Sequence, residues 1–198
     1  QSVLERLGNV YVNYTDQTLT LGGDLKVNQE ISLESIGKSA QDFFEEANKY
    51  SLKENFLVSI ELYSKAIELD GEYVEAYRLR GLSKQFLGDF QGAIADYTIL
   101  IQLAPDNEQD YMQRGLTKDA LHDYRGAISD YNKAIALNPS FINSYGNRGR
   151  SKAALQDYRG AISDFTKVLE IDPNNSLAFD GRGTAKWFLK DYKGALID

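Results

Sequence analysis

The stretch LHDYRGAISD at residues 121–130 returns with a single change as LQDYRGAISD at residues 155–164. The copies lie 34 residues apart, and the surrounding sequence keeps step with them. The three prolines, Pro105, Pro139 and Pro173, hold the same period. So do Gly81, Gly115, Gly149 and Gly183, a second glycine ladder at Gly92, Gly126, Gly160 and Gly194, and the alanines that follow it, Ala93, Ala127, Ala161 and Ala195. A fixed period in this range marks a chain of stacked supersecondary units, none of which can bury its apolar face alone.

Each period reads as two helices. In the first clear unit, Tyr77, Gly81 and Leu87 fall on one face of a helix over residues 77–87. Gly88 and Asp89 break it. A second helix over residues 90–103 carries Ala93, Ile94, Tyr97, Leu100 and Ile101 at helical spacing. Asp89, Asp123, Asp157 and Asp191 stand where an N-cap must accept from unpaired amides of that second helix. The prolines end it, since their ring cannot continue a helix. Gly81 and its equivalents are expected to let the paired helices approach, with Ala93 and its equivalents opposite them.

Composition narrows the chemistry. The 198 residues carry a net charge of −7, with 42% hydrophobic and 26% charged residues, as an ordinary folded domain does. An acidic chain without a basic run is a poor match for nucleic acid or an anionic membrane. No run of about 18 apolar residues offers a membrane span. There is no Cys and the one His is His122, so thiol chemistry, Cys-ligated zinc and a His-built metal centre are all unstaffed. The glycines are spaced by the repeat, so they form no phosphate-binding loop. The expectation is a non-catalytic protein with no cofactor or metal. Its compartment is open, since a Cys-free chain suits the cytoplasm and a disulfide-free periplasmic protein alike; a soluble cytoplasmic setting is favoured.

The recurring set is Tyr77, Gly81, Ala93, Tyr97 and Pro105; then Tyr111, Gly115, Ala127, Tyr131 and Pro139; then Tyr145, Gly149, Ala161, Phe165 and Pro173. In this pattern and period the chain resembles the tetratricopeptide repeat family, over residues 39–198. The resemblance implies an all-α right-handed superhelical solenoid of helix-turn-helix repeats. Its units would be a degenerate one at 39–72, then 73–106, 107–140, 141–174, and 175–198, the last cut within its second helix. It also implies a function: a scaffold for protein–protein interaction, with the first helix of each pair lining a concave groove that takes a protein or peptide segment. Family positions carried over one at a time give Arg78, Leu82, Phe86, Met112, Gln113, Leu116, Asn147, Arg150 and Trp187 as partner-binding residues. The family's grip on a peptide C-terminal carboxylate is matched only at Arg78 and Gln113, so that mode is not expected. Two alternatives stand beside the scaffold: a self-assembly module building a homo-oligomer, and the regulatory arm of a longer protein.

The chain departs from the family pattern with Arg80, Arg114, Arg148 and Arg182 just before the first glycine, and with Lys84, Lys118, Lys152 and Lys186 three residues after it. Arg and Lys four apart share a helix face. Asp96, Asp130, Asp164 and Asp198 form the matching column on the second helix. An internal Arg–Asp ladder, edged by Lys, is expected to tie the paired helices together. Trp187 and Phe188 are expected to pack at the end of the stack, and His122 to be a solvated turn residue.

Residues 1–38 have a different texture. Val10, Tyr11, Val12 and Tyr14 have strand character, and Leu19 and Leu21, a Gly22-Gly23-Asp24 turn, then Leu25 and Val27 resemble a small β-hairpin after a helix over residues 2–7. A lone hairpin is marginal in water. It is expected to dock on the first repeat or on a second copy, or else to be a flexible leader or the tail of a preceding domain.

Overall fold

The protein is described by a computed structural model covering residues 37–198, together with the backbone of three short strands: β1 (Tyr11–Thr15), β2 (Thr18–Gly22) and β3 (Ile31–Ser32). The strand order is β1-β2-β3, antiparallel, with Val12 opposite Leu21 and Leu19 opposite Ile31. The expected turn Gly22-Gly23-Asp24 begins on a residue that ends β2; the rest of that turn, the second arm through residue 27 and the helix expected over residues 2–7 lie outside the described residues.

From residue 37 onward every regular element is an α-helix. The helices are α1 (Ala40–Ser51), α2 (Phe56–Leu69), α3 (Val74–Phe86), α4 (Phe90–Leu103), α5 (Glu108–Ala120), α6 (Tyr124–Leu137), α7 (Ile142–Ala154), α8 (Tyr158–Ile171), α9 (Ser176–Phe188) and α10 (Tyr192–Ile197). They pair as α1/α2 through α9/α10, and each helix packs on the next in chain order. The result is an all-helical repeat solenoid. The first helix of a pair begins three residues earlier than the sequence suggested: α3 starts at Val74, and Tyr73 at its N-cap makes no side-chain cap bond.

The local signals work as expected, with added detail. Asp89, Asp123, Asp157 and Asp191 accept from the amides of Gly92, Gly126, Gly160 and Gly194. This geometry explains the second glycine ladder. A Cβ at Gly126 would lie 2.1 Å from Asp123 Oδ2, so the cap carboxylate occupies the space a side chain would need. Helices α4, α6 and α8 stop at Leu103, Leu137 and Ile171, two residues before each proline. The tight turn inside each pair needs one left-handed residue, supplied by Glu54, Gly88, His122, Gln156 and Lys190 with φ of 58, 78, 60, 64 and 65°. Only Gly88 takes that conformation without a Cβ penalty. His122 is exposed there, its Nδ1 2.8 Å from Tyr124 Oη.

Close approach inside a pair is set by glycine against an aromatic ring. A Cβ at Gly81 would meet the Tyr97 ring at 3.1 Å; at Gly115 it would meet Tyr131 at 2.7 Å; at Gly149 it would meet Phe165 at 3.0 Å. Behind the rings, Ala93, Ala127 and Ala161 are fully buried in a core that runs along the stack in clusters.

The Arg–Asp ladder is present. Arg80, Arg114, Arg148 and Arg182 reach Asp96, Asp130, Asp164 and Asp198 at 2.7, 2.7, 2.6 and 2.6 Å. Each Arg donates through both Nε and Nη2, the bidentate fork that favours Arg over Lys. Lys84, Lys118, Lys152 and Lys186 close on the same carboxylates at 2.9, 2.8, 2.8 and 2.6 Å. The third guanidinium nitrogen does something further. It donates back to the preceding unit, to Ser64 from Arg80, Thr98 from Arg114, Asn132 from Arg148 and Thr166 from Arg182. Each Arg thus bonds its own pair and the pair before it. Burial works against ionisation of Asp198, but Arg182 and Lys186 overcome it and hold the carboxyl below the usual carboxylate range.

Candidate functional site

First helices of successive units touch one another directly, α5 with α7 and α7 with α9, whereas second helices have no comparable mutual contact. The first helices therefore form the tighter, inner face of the stack, where the expected groove residues lie. Their side chains serve different ends.

Arg78, on α3, is engaged. Its Nε and Nη2 donate to both oxygens of Asp110 on α5, at 2.8 and 3.0 Å, and Asp110 is fully buried. A guanidinium bound this way has little left for a ligand carboxylate. Met112 is 5% exposed and packs on Ala127, Tyr131 and Ala134, so it fills the core of the array and presents almost no surface. Leu82, Gln113 and Leu116 are half-buried, Leu116 against that same cluster. Phe86 is exposed and lies flat on Phe56, with ring centroids 4.7 Å apart. Trp187 is exposed and stands edge-on to Phe188 at 5.3 Å; Phe188 in turn stacks on Tyr158 at 4.8 Å. Asn147 and Arg150 are neighbours on α7, with the Arg150 guanidinium donating to Asn147 Oδ1.

Beneath these residues runs a set of bonds that the sequence did not announce as a unit. Tyr97 donates to Gln85 Oε1 at 2.7 Å, and Gln85 Nε2 donates to Thr117 on α5 at 2.6 Å. One unit on, Tyr131 donates to Asp119 at 2.7 Å, and Ser151 on α7 donates to Asp119 at 2.8 Å. Burial pushes the Tyr97 phenol well above its ordinary value, and burial together with the Asp119 hydrogen bond does the same to Tyr131. Burial also raises the Asp119 carboxyl, against the opposing bonds from Tyr131 and Ser151.

At the next seam the pattern changes. A cavity of about 500 Å³ opens between α7 and α9, a size in the range of ligand sites. Its walls include Phe165, Val168, Ala153, Ala178 and Ala185, with Gly146 as a gap and Gly181 packed directly on the Phe165 ring. Asn143, Asn147 and Arg150 stand on the α7 rim, and Asp180 and Thr184 on the α9 rim. Of the expected groove residues, the structure brings Asn147 and Arg150 to this opening and leaves the others outside it. Gly146, Ala153, Phe165, Gly181 and Ala185 were missed. The available signal was their departure from their own columns: Gly146 stands where Met112 and Arg78 stand, Ala153 where Asp119 and Gln85 stand. Among the described residues no group of three or more acidic or His side chains is placed to hold a metal, and no helix is long and apolar enough to cross a membrane.

These features define a tetratricopeptide-type array, and comparison with known proteins agrees. The tetratricopeptide repeat profile matches residues 111–141 and 142–175, and the chain belongs to the tetratricopeptide repeat family. Among solved structures it is similar to the first TPR of Spaghetti (RPAP3) bound to HSP90 peptide SRMEEVD, at 30% identity and a TM-score of 0.58, over 61% of this chain and 96% of that one. It is similar in fold to YrrB, described as a TPR protein with an unusual peptide-binding site, at 22% identity and a TM-score of 0.72, over 82% and 84% of the two chains. MamA from Desulfovibrio magneticus RS-1 shares the fold at 16% identity and a TM-score of 0.76, over 82% and 92%. No curated protein sequence matches the chain. The tetratricopeptide repeat is a protein-interaction fold, and members of it bind peptides.

Proposed function

We propose that this chain is a non-catalytic interaction scaffold that takes an extended protein segment along the face formed by its first helices. The observation that carries this is the open seam between α7 and α9, with apolar walls and polar rims of Asn143, Asn147 and Arg150 on one side and Asp180 and Thr184 on the other. Apolar contact would supply affinity, and side-chain amides would bond the segment's backbone. The peptide complex of the Spaghetti TPR supports the same mode by analogy. Of the residues first expected to bind, Asn147, Arg150, Leu82, Gln113, Leu116, Phe86 and Trp187 remain candidates; Arg78 and Met112 act by shaping the face. Residues 1–38 are proposed to be a separate segment ahead of the array of units 39–72, 73–106, 107–140, 141–174 and 175–198.

The test is to pan the full chain against a random-peptide phage library and map the recovered peptides by amide chemical-shift changes. Shifts on α3, α5, α7 and α9 are expected. Failure to recover any binder, or shifts confined to the second helices α4, α6 and α8, would refute the groove.

A further inference from the structure

We infer that the α7/α9 seam is a specificity pocket for one aromatic or leucine-sized side chain of the bound segment, with Arg150 pairing an Asp or Glu beside that anchor. This rests on the groove assignment above and goes further, by naming the chemistry of the segment.

The inference comes from comparing equivalent places at three successive seams. At the first, Arg78 and Asp110 fill the space with a bidentate ion pair. At the second, the equivalent residues are Met112 and Ser144, both buried. At the third they are Gly146 and Ala178, which leave it empty. A second set of positions changes with the first. The hydrogen-bonded groups Tyr97–Gln85–Thr117 and Tyr131–Asp119–Ser151 become Phe165, Ala153 and Ala185. Every donor and acceptor in the group is lost together, so none of that group is stranded, and Phe165, Ala153 and Ala185 offer only apolar side chains. Gly181 completes the seam. A Cβ there would lie 2.6 Å from the Phe165 ring, so only glycine lets α9 close onto that ring, which forms the floor of the seam. A cavity of about 500 Å³ with apolar walls, at the one of these three seams that has lost both its filler and its polar group, has the form of a side-chain receptor.

The rim sets the neighbouring chemistry. Arg150 is exposed, and its hydrogen bond is to Asn147 Oδ1; its charge acts on the Asp119 carboxyl one unit back, but among the described residues no carboxylate lies within salt-bridge distance of it. Arg78, Arg80, Arg114, Arg148 and Arg182 all hold a carboxylate. A guanidinium at the lip of an apolar cavity gains a charge-assisted bond from a ligand carboxylate. Its bond to Asn147 Oδ1 also leaves the Asn147 amide nitrogen to donate. Donors on the α7 rim and the Asp180 acceptor on the α9 rim complement the C=O and N–H groups of an extended backbone.

The experiment takes peptides recovered from the phage panning, made with an amidated C-terminus and a fluorophore, and measures anisotropy on three proteins: the original chain, Gly146→Met and Arg150→Gln. Gly146→Met restores the residue of the preceding unit. Its Cβ meets only Val168 Cγ2, at 3.9 Å, so the new side chain starts into open space, and a thermal melt of each variant checks the fold. Recovered peptides are expected to share a large apolar residue beside Asp or Glu. Gly146→Met is expected to weaken them by about tenfold or more, the value of burying one such side chain. Replacing the peptide's acidic residue by its amide is expected to weaken binding about fivefold on the original chain and to change nothing on Arg150→Gln. Binding to Gly146→Met within about twofold of the original would overturn the pocket while leaving the groove standing. An equal response of both proteins to the amide peptide would overturn the role of Arg150. Panning that yields no peptide on the first helices would overturn the groove, and the pocket with it.

Discussion

Replacing Asp130 with alanine should unfold the array well before the original chain. Its carboxylate accepts from Arg114 Nε at 3.0 Å and Nη2 at 2.7 Å, and meets Lys118 Nζ at 2.8 Å. Its side chain is 4% exposed, so the substitution leaves two cations without the buried carboxylate they share. Breaking a fully buried pair costs about 3–5 kcal/mol. Here Arg114 and Lys118 keep 17% and 20% exposure, so water reaches them and offsets part of the loss. Arg114 also keeps its bond to Thr98. The expected loss is therefore about 2–4 kcal/mol. At roughly 2–4 °C per kcal/mol for a chain of this size, the melting temperature should fall by about 5–15 °C. Far-UV circular dichroism against temperature reads it directly. A companion variant, Arg114→Met with Lys118→Met and Asp130→Leu, removes all three charges and should recover most of the loss, since no ion is left alone. A melt of Asp130→Ala within about 1 °C of the original would refute the ladder as a source of stability.

Three further outcomes are expected. Gly115→Ala drives a Cβ into the Tyr131 ring at 2.7 Å and should cost about 1–3 kcal/mol in urea unfolding, whereas Gly126→Ala meets only the movable end of Asp123 and should stay within about 1 kcal/mol; equal losses would contradict the packing. Folding raises the Asp119 carboxyl through burial, so stability from this site is present below the ordinary carboxylate range and is lost as pH rises through the raised folded value; Asp119→Asn should flatten that decline and stabilise the chain at neutral pH by up to about 1 kcal/mol, and an unchanged slope of stability against pH would count against it. His122→Gly relieves a left-handed residue at φ 60° with an exposed side chain and should raise stability by about 0.5–1 kcal/mol, while Gly88→Ala, at φ 78°, should lower it; a denaturant midpoint that moves the other way would reject the turn geometry.

Most of the fold was legible because each local signal recurred. Asp89 before a helix is a weak N-cap signal alone, but four aspartates in one register leave little freedom. The Arg–Asp ladder was legible for the same reason: two charged columns of opposite sign, on helices that must face each other, can pair only one way. The groove was less legible. Position along a first helix fixes which face a residue takes, but not whether its neighbours have already claimed it. Arg78 is bound by Asp110, which lies 32 residues later on a helix of the next unit, and Met112 sinks into a core cluster with Ala127, Tyr131 and Ala134. The pocket is a matter of what is missing. Gly146, Ala153 and Ala185 are unremarked residues singly, and become informative only when laid beside the larger or polar residues in the same columns.

The backward bond from each Arg to the preceding pair has a consequence for how such a chain can change over generations. The units 73–106, 107–140 and 141–174 each carry both halves of the joint: an Arg that reaches back (Arg80, Arg114 or Arg148), and a polar group for the next Arg to reach (Thr98, Asn132 or Thr166). A tandem duplication of one period therefore inserts a segment whose two ends already fit, and an in-frame loss of one period closes over a joint of the same kind. At this joint the array can be lengthened or shortened by whole periods without a matching second mutation; the seam bonds that differ between units, such as Arg78 with Asp110, are what a change of length would have to re-fit.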